Sequence, residues 1–256
     1  MSKKSKQGRC VHCLRWFSDL TDDHVFPESW YPDTTPEEMP KWKVPSCKSC
    51  NSSLGKIEED LMLRLGLCVN RKSARASGIS EKVLRALDPD AADGKRDKYY
   101  RQKTREKILK EMISLPGIPI GILPNFGPKN NFSKTHRGIK IPERELKDLG
   151  EKIIRGHQYV IEKKYVENDY LIEIIFVHDK DVQKVINLIN HHGKKYYRGP
   201  GLTIVHAPAS DDNMVALYII KIWGQLKIYG VITKREFDGL KFGRRFGVGL
   251  RIRTER

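Results

Sequence analysis

The chain has 256 residues, 39% of them hydrophobic, and a formal net charge of +16. This length allows one large domain or two ordinary ones, and the varied composition excludes a fibrous or wholly disordered protein. Because no apolar run approaches the roughly 18 residues of a membrane span and no secretory signal is visible, we expect a cytoplasmic protein with no membrane partner. The excess of positive charge is typical of proteins that bind a polyanion, and nucleic acid is the commonest polyanion in a cytosol.

The first predicted feature is a pair of Cys-x-x-Cys motifs separated by a loop rich in proline and acidic residues. Without a secretion signal disulfides are disfavoured, and two such motifs in a short span indicate a metal site. Four thiolates fill the tetrahedral coordination of zinc and leave no position open for water, so we predict a structural Zn²⁺. His12 is a further candidate ligand, although the cysteines already complete the set. The four predicted zinc ligands are Cys10, Cys13, Cys47 and Cys50.

Helices are predicted to follow the second motif. The first begins near Asn51, with Ser52 or Ser53 as its cap. SEKVLRALD is a short amphipathic helix, and KYYRQKTREKILKEMISL is a longer one with a strongly basic face. We expect this basic helix and the basic C-terminal segment to contact phosphates, although a solvated face is an equally good interpretation of the helix. The candidate nucleic-acid-binding residues are Lys95, Arg96, Lys98, Arg101, Arg244, Arg245, Arg251 and Arg253.

The remainder of the chain predicts an α+β region. Amphipathic helices are predicted in PERELKDLGEKIIRGHQYVIE and DVQKVINLINHHG. Three further segments are rich in β-forming residues: YLIEIIFVH, GLTIVHAPA and NMVALYIIKIW. The predicted domains are residues 1–70 for the zinc unit, 71–116 for a helical basic connector and 117–256 for an α+β domain. Target binding and oligomerisation, including a homodimer, are the alternatives for the role of the last domain.

Between the two cysteine motifs lies TDDHVFPESW, in which Asp23 directly precedes His24. An isolated acid–histidine pair is most often a polar loop tip. In this position, however, the order Cys-x-x-Cys, Asp-His-x-x-Pro and Cys-x-x-Cys-Asn resembles the zinc-stapled bacterial form of the HNH endonuclease family. The resemblance covers roughly the first quarter of the chain. The residues that carry it are Cys10, Cys13, Asp23, His24, Pro27, Cys47, Cys50, Asn51 and Gly55.

The resemblance implies a zinc-bound ββα-metal domain, followed by a helical linker and a C-terminal mixed α+β domain. It also implies that Asp23 and Asn51 ligate a catalytic Mg²⁺ or Mn²⁺, and that His24 is the general base on the attacking water. These residue types suit phosphodiester hydrolysis, since a histidine with a pKa near 6.5 accepts a proton at neutral pH and a divalent cation stabilises the transition state. The family's middle Asn has no counterpart in EMPKWKVPSC. Three acidic residues of the following helix are further candidates for reaching the cation, with solvated charge as the alternative: Glu58, Glu59 and Asp60.

The leading hypothesis is therefore a metal-dependent endonuclease that hydrolyses DNA. A restriction, defence or mobile-element setting follows from the family resemblance alone. One alternative is a zinc-dependent nucleic-acid-binding protein without catalysis. The other is an RNA-directed nuclease, because basic charge does not distinguish DNA from RNA.

Overall fold

The computed structural model describes residues 6–114, 137–176 and 183–235, which fold as a mixed α+β protein, as predicted. The strands are β1 (Lys6–Arg9), β2 (Trp16–His24), β3 (Lys43–Ser46), β4 (Met112–Ser114), β5 (Arg137–Ile139), β6 (Tyr170–Ile175), β7 (Lys194–Tyr197), β8 (Leu202–Pro208), β9 (Ala216–Ile222) and β10 (Leu226–Lys234). The helices are α1 (Lys48–Gly66), α2 (Ile79–Ala86), α3 (Lys95–Glu111), α4 (Glu143–Glu162) and α5 (Gln183–His192). Within the described ranges, none of these helices has the length and apolar character needed to span a membrane.

The N-terminal part is a three-stranded antiparallel sheet, in the order β1-β2-β3, that leads directly into α1. In the β2–β3 pair, Thr21 lies opposite Ser46 and His24 lies opposite Lys43. Residues directly opposite each other in an antiparallel pair point to the same face of the sheet. Since α1 starts just after Ser46, this arrangement brings the part of β2 around Thr21 close to the first turn of the helix, while His24 lies at the other end of the strand pair.

The start of α1 differs from the sequence-based prediction. Cys47 is the N-cap residue, and its sulfur accepts a hydrogen bond from the backbone N–H of Cys50 at 3.4 Å. The predicted caps, Ser52 and Ser53, lie inside the helix, so that prediction was wrong. The physical reason is that a cysteine sulfur can accept from the first-turn N–H groups, as the usual capping oxygens do.

The C-terminal part is a five-stranded antiparallel sheet in the order β6-β10-β9-β8-β7. The three β-rich segments predicted from the sequence correspond to β6, β8 and β9, and the two predicted amphipathic helices correspond to α4 and α5. The inner strand β10 was not predicted, although it pairs with both β6 and β9. It follows β9 through a tight turn in which Trp223 and Gly224 both have positive φ, 53° and 66°. Such a turn matches the twist of a hairpin, and a tryptophan is an unusual residue to form it.

A single apolar core crosses the predicted domain boundaries. One cluster of buried side chains includes Phe26 and Leu61 from the zinc unit, Val83 from α2, Ile153 from α4 and Ile220 from β9. Helix α4 contacts α1 and β3 as well as β6 and β10. The domain boundaries at residues 70 and 116 stay a prediction. Because α4 packs against α1 and β3, its side chains can reach residues of β2 and α1.

Candidate metal centre and active site

The four predicted zinc ligands come together. The Sγ atoms of Cys10, Cys13, Cys47 and Cys50 all lie within 4.8 Å of one another, and this is the only group of three or more Cys, His, Asp or Glu side chains suited to a metal in the described parts of the chain. The sulfurs of Cys13 and Cys47 are 3.9 Å apart, far beyond a disulfide bond. Zinc–sulfur bonds of about 2.3 Å in a tetrahedron place neighbouring sulfurs about 3.8 Å apart. The cluster therefore fits a structural ion such as Zn²⁺.

The pKa values of the thiols differ within the cluster. Burial alone would raise the pKa of Cys13, but hydrogen bonds from Arg15 and from the neighbouring cysteines lower it to about 7, whereas burial raises the pKa of Cys47 and of Cys50. A bound metal ion deprotonates a thiol that coordinates it, so the cluster gains its thiolates when metal binds. His12, the alternative ligand, turns away from the sulfurs and donates from Nε2 to Asp23 Oδ2 at 2.9 Å. The all-cysteine set is thus the candidate metal-binding group, and His12 belongs to the neighbouring site.

His24 is the last residue of β2 and is partly open to solvent, with 21% of its side chain exposed. Its Nε2 lies 4.0 Å from a carboxylate oxygen of Glu28, which Lys41 holds with an ion pair of 2.8 Å. Burial lowers the pKa of His24 from its usual value, Glu28 opposes that shift, and the nearby charge of Lys43 adds to it. A lowered pKa keeps the imidazole neutral at neutral pH, and a neutral imidazole is able to accept a proton.

Asp23 points to the opposite face of β2, because successive side chains alternate along a strand. It is buried, with 5% exposed, and each carboxylate oxygen accepts a hydrogen bond. Oδ2 accepts from His12, and Oδ1 accepts from the ammonium of Lys152 at 2.8 Å. Burial alone would raise the pKa of Asp23, but His12 and Lys152 together lower it, so the carboxylate is ionised.

Asn51 lies in the first turn of α1, facing β2. Its Nδ2 donates to Thr21 Oγ1 at 2.9 Å and, at 3.5 Å, to the backbone oxygen of Asp22. Thr21 in turn donates to the backbone oxygen of Ser46 at 3.0 Å, so these bonds tie helix and strand pair together. Asp22, the other acidic residue of the motif, forms an exposed ion pair with Lys6. In this arrangement Asn51 connects α1 to β2.

Of the three acidic residues predicted to approach a cation, Glu58 is the one that reaches the site. Its Oε1 accepts a hydrogen bond from the Lys152 ammonium, and burial raises the pKa of its carboxyl group. Glu59 is exposed, and Asp60 pairs instead with Arg64. Lys152 therefore bridges the carboxylates of Asp23 and Glu58.

Sequence reasoning missed Lys152. It lies in α4, 129 positions after Asp23, and its side chain is fully buried. The one signal in the sequence is its place directly before Ile153 and Ile154, on the apolar face of an amphipathic helix. A lysine is almost never fully buried unless it is paired, but nothing in the local sequence names the partner.

The arrangement at Asp23 does not fit the divalent cation that the resemblance implies. Both oxygens of Asp23 accept bonds from protein donors, and the Asn51 amide directs its N–H to Thr21. A metal ion at Asp23 would also lie beside the Lys152 ammonium, and like charges in a buried site repel strongly. No catalytic step is therefore assigned to such a cation.

The predicted nucleic-acid contacts on α3 are divided between paired and unpaired cations. Lys98 forms an ion pair with Asp90 at 2.7 Å, and Arg101 forms one with Asp97 at 2.9 Å. Both charges are therefore partly neutralised before any polyanion approaches, and their predicted contacts would require exchange of partners.

Lys95 and Arg96, by contrast, form no ion pair with any residue in the described ranges. The guanidinium of Arg96 lies 5.8 Å from the ring centre of Tyr100, and this ring is exposed beside that of Tyr99. Exposed tyrosines next to unpaired cations are suited to contact both bases and phosphates. The remaining predicted contacts lie outside the described residues: Arg244, Arg245, Arg251 and Arg253.

An open groove of about 490 Å³ separates α1, α2 and α3. Its lining includes Glu28, Gly55, Glu58 and Tyr100. Glu28, whose carboxylate lies 4.0 Å from His24 Nε2, and Tyr100 on α3 therefore line the same groove.

No family model, no curated protein and no solved structure matches this chain.

Proposed function

We propose that this protein is a nuclease that hydrolyses phosphodiester bonds in nucleic acid, with DNA as the substrate and His24 as the general base. The observation that carries the proposal is the position and environment of His24: a partly exposed imidazole at the end of β2, opposite Lys43 of β3 and beside Glu28, with a pKa that burial lowers. The strand–strand–helix order and the four-cysteine cluster support it, since both accord with the zinc-stapled ββα arrangement of the HNH family.

In this mechanism His24 takes a proton from a water molecule as that water attacks phosphorus. The oxygen of the water forms the new P–O bond, the bond from phosphorus to the leaving sugar oxygen breaks, and that oxygen takes a proton from solvent. His24 then returns its own proton to solvent, which restores the neutral base. The imidazolium that results lies beside Glu28, whose negative charge stabilises it. Lys43, opposite His24 on the same face of the sheet, is exposed and makes no ion pair within the described residues, so its ammonium is available to the phosphate.

DNA is proposed as the substrate because of the family resemblance, and so is a restriction, defence or mobile-element role. The net charge of +16 supports a polyanionic substrate, and the strong salt dependence of such binding applies to RNA as well. An RNA-directed nuclease is therefore an outcome that the test below includes.

A second candidate function is nucleic-acid binding through the zinc unit without hydrolysis. The contact of Lys152 with Asp23 favours it, because the side chain that the resemblance assigns to the catalytic cation is saturated by protein donors. The two candidates differ in a single readout, namely whether a bound strand is cut.

The test is cleavage of supercoiled plasmid by zinc-replete protein with Mg²⁺ or Mn²⁺, beside His24→Ala. General-base catalysis contributes about 100- to 10,000-fold, so His24→Ala should slow nicking at least about 100-fold. His191→Ala, which removes an exposed imidazole from α5, is the matched control and should nick like wild type. A structured RNA in parallel reactions identifies the preferred polymer. Nicking by His24→Ala at the wild-type rate would contradict the assignment of the base, and binding without nicking would favour the second candidate.

A further inference from the structure

Lys152 occupies a position in the candidate site that the family resemblance does not explain. It lies in the middle of α4, next to the buried side chains of Ile153 and Ile154, and its own side chain is 0% exposed. Moving an unpaired ammonium out of water to such a place is strongly unfavourable, so the contacts that it makes there have to offset that cost. The described partners of the ammonium are the carboxylates of Asp23 and Glu58.

Three separate elements place these groups together. Asp23 comes from β2, Glu58 from α1 and Lys152 from α4, and none of them could form the contact alone. Proteins also hold divalent ions in this way, with two carboxylates from different elements sharing one cation. Here the shared cation is part of the chain. A free ion that uses Asp23 has to displace the Lys152 ammonium.

We propose that Lys152 is a built-in cation that keeps Asp23 and Glu58 from binding a divalent ion. The inference rests on the proposed function for the role of Asp23. It also connects the site to the C-terminal part, because α4 packs against β6 and β10 of the five-stranded sheet.

The expected change in metal affinity follows from competition between two states of the site, one in which the Lys152 ammonium contacts the carboxylates and one in which it does not. The apparent dissociation constant of a metal equals its intrinsic value divided by the fraction of molecules in which the site is open. If the ammonium is engaged in more than about nine molecules in ten, removing it tightens metal binding at least about tenfold. This prediction concerns binding alone and does not depend on catalysis.

The experiment measures Mn²⁺ binding to zinc-replete protein by electron paramagnetic resonance, in wild type and in Lys152→Met. The matched control is Lys147→Met, also on α4, where an exposed lysine forms an ion pair with Glu143 of the same helix. Lys152→Met should bind Mn²⁺ at least about tenfold more tightly than wild type, and Lys147→Met should bind like wild type. Equal affinity in wild type and Lys152→Met overturns the proposal. So does a tight Mn²⁺ site in wild type that Asp23→Asn removes.

Two further variants keep the proposal testable if Lys152→Met does not fold. Lys152→Gln is neutral but retains an N–H donor for one carboxylate, and it should also gain Mn²⁺ affinity. Lys152→Arg keeps the positive charge and should bind Mn²⁺ as weakly as wild type. Gain in Lys152→Arg but not in Lys152→Gln would contradict the role of charge.

Failure of this inference is distinguishable from failure of the proposed function. If Mn²⁺ affinity follows the charge at position 152 but no variant cuts nucleic acid, the built-in cation stands and the nuclease assignment fails. If nicking depends on His24 but Lys152→Met binds Mn²⁺ no more tightly than wild type, the nuclease assignment stands and the built-in cation fails.

Discussion

The candidate metal centre lies between β1 and β2 and at the start of α1, next to the candidate catalytic site on β2, yet the two are built differently. Every cysteine of the metal cluster lies within residues 10–50, so the cluster is specified by a short stretch of chain. The environment of Asp23, by contrast, depends on Lys152, 129 positions later. The spacing of the cysteines along the chain therefore determines the metal cluster. Packing between distant elements determines the ionisation and the solvent exposure of Asp23.

The largest effect is expected at the zinc centre. Cys47→Ser removes both a ligand and the helix cap, and structural zinc contributes about 10–16 kcal/mol of apparent binding free energy in small zinc modules. We expect loss of zinc and of the N-terminal fold, measured by metal analysis and circular dichroism. Cys68→Ala, which removes the cysteine outside the cluster, should keep its zinc. A folded Cys47→Ser protein with wild-type zinc content would show that the cluster is not the structural centre.

The next effect tests the long-range packing of α4 through pH. Burial, with a smaller contribution from His206, lowers the pKa of His157 to about 3, and burial lowers that of His206 to about 4. Because both values lie below the unfolded value of about 6.5, the unfolded state binds more protons, and stability is lost as pH falls below about 6.5. Each imidazole should remove about 2 kcal/mol of unfolding free energy between pH 6.5 and pH 5.

Urea unfolding at these two pH values, with zinc content measured at each, checks this prediction. His157→Phe keeps a ring at the site but cannot be protonated, so on acidification it should lose about 2 kcal/mol less unfolding free energy than wild type. His191→Ala, exposed on α5, should lose as much as wild type. An identical loss in His157→Phe and wild type would mean that other groups cause the acid sensitivity.

A smaller effect is expected where α1 is bonded to β2. Asn51→Ala removes the hydrogen bond to Thr21 and should cost about 1–2 kcal/mol of unfolding free energy. Ser52→Ala, at an exposed position in the same helical turn, is the control and should stay within about 0.5 kcal/mol of wild type. Equal stability of the two variants in urea would mean that Asn51 does not connect helix and strand.

The smallest effect concerns nucleic-acid binding by α3. Arg96→Gln should lower the slope of log affinity against log salt by about 0.9, the value for one phosphate contact with duplex DNA. Lys98→Gln should change it less, because Lys98 already pairs with Asp90. Fluorescence anisotropy with a labelled duplex at several salt concentrations measures both slopes. If neither variant changes the slope, the basic face of α3 is solvated rather than bound to phosphate.

The parts that the sequence predicts are those with short-range causes. The cysteine spacing predicts the metal cluster, and the apolar periodicity of α4 and α5 predicts both helices. The acid–histidine motif draws attention to Asp23 and His24, but it does not predict that they lie on one strand and point to its opposite faces.

The parts that the sequence does not predict depend on packing between distant elements. Nothing near Lys152 indicates that its ammonium meets Asp23, because that contact requires α4 to lie against β3 and α1. Strand β10 was missed because its turn uses Trp223 at positive φ, where turn-forming residues would normally mark a hairpin. The helix cap was missed because Cys47 serves the metal centre and the helix together.

Chemical rescue tests the central claim, that His24 is the general base, most directly. His24→Gly removes the imidazole and leaves room for a free one. The account predicts that added imidazole restores plasmid nicking by zinc-replete His24→Gly in proportion to its concentration, while wild type and Asn51→Ala gain nothing from it. A folded His24→Gly protein that imidazole does not rescue, or that nicks at the wild-type rate without imidazole, would contradict the account.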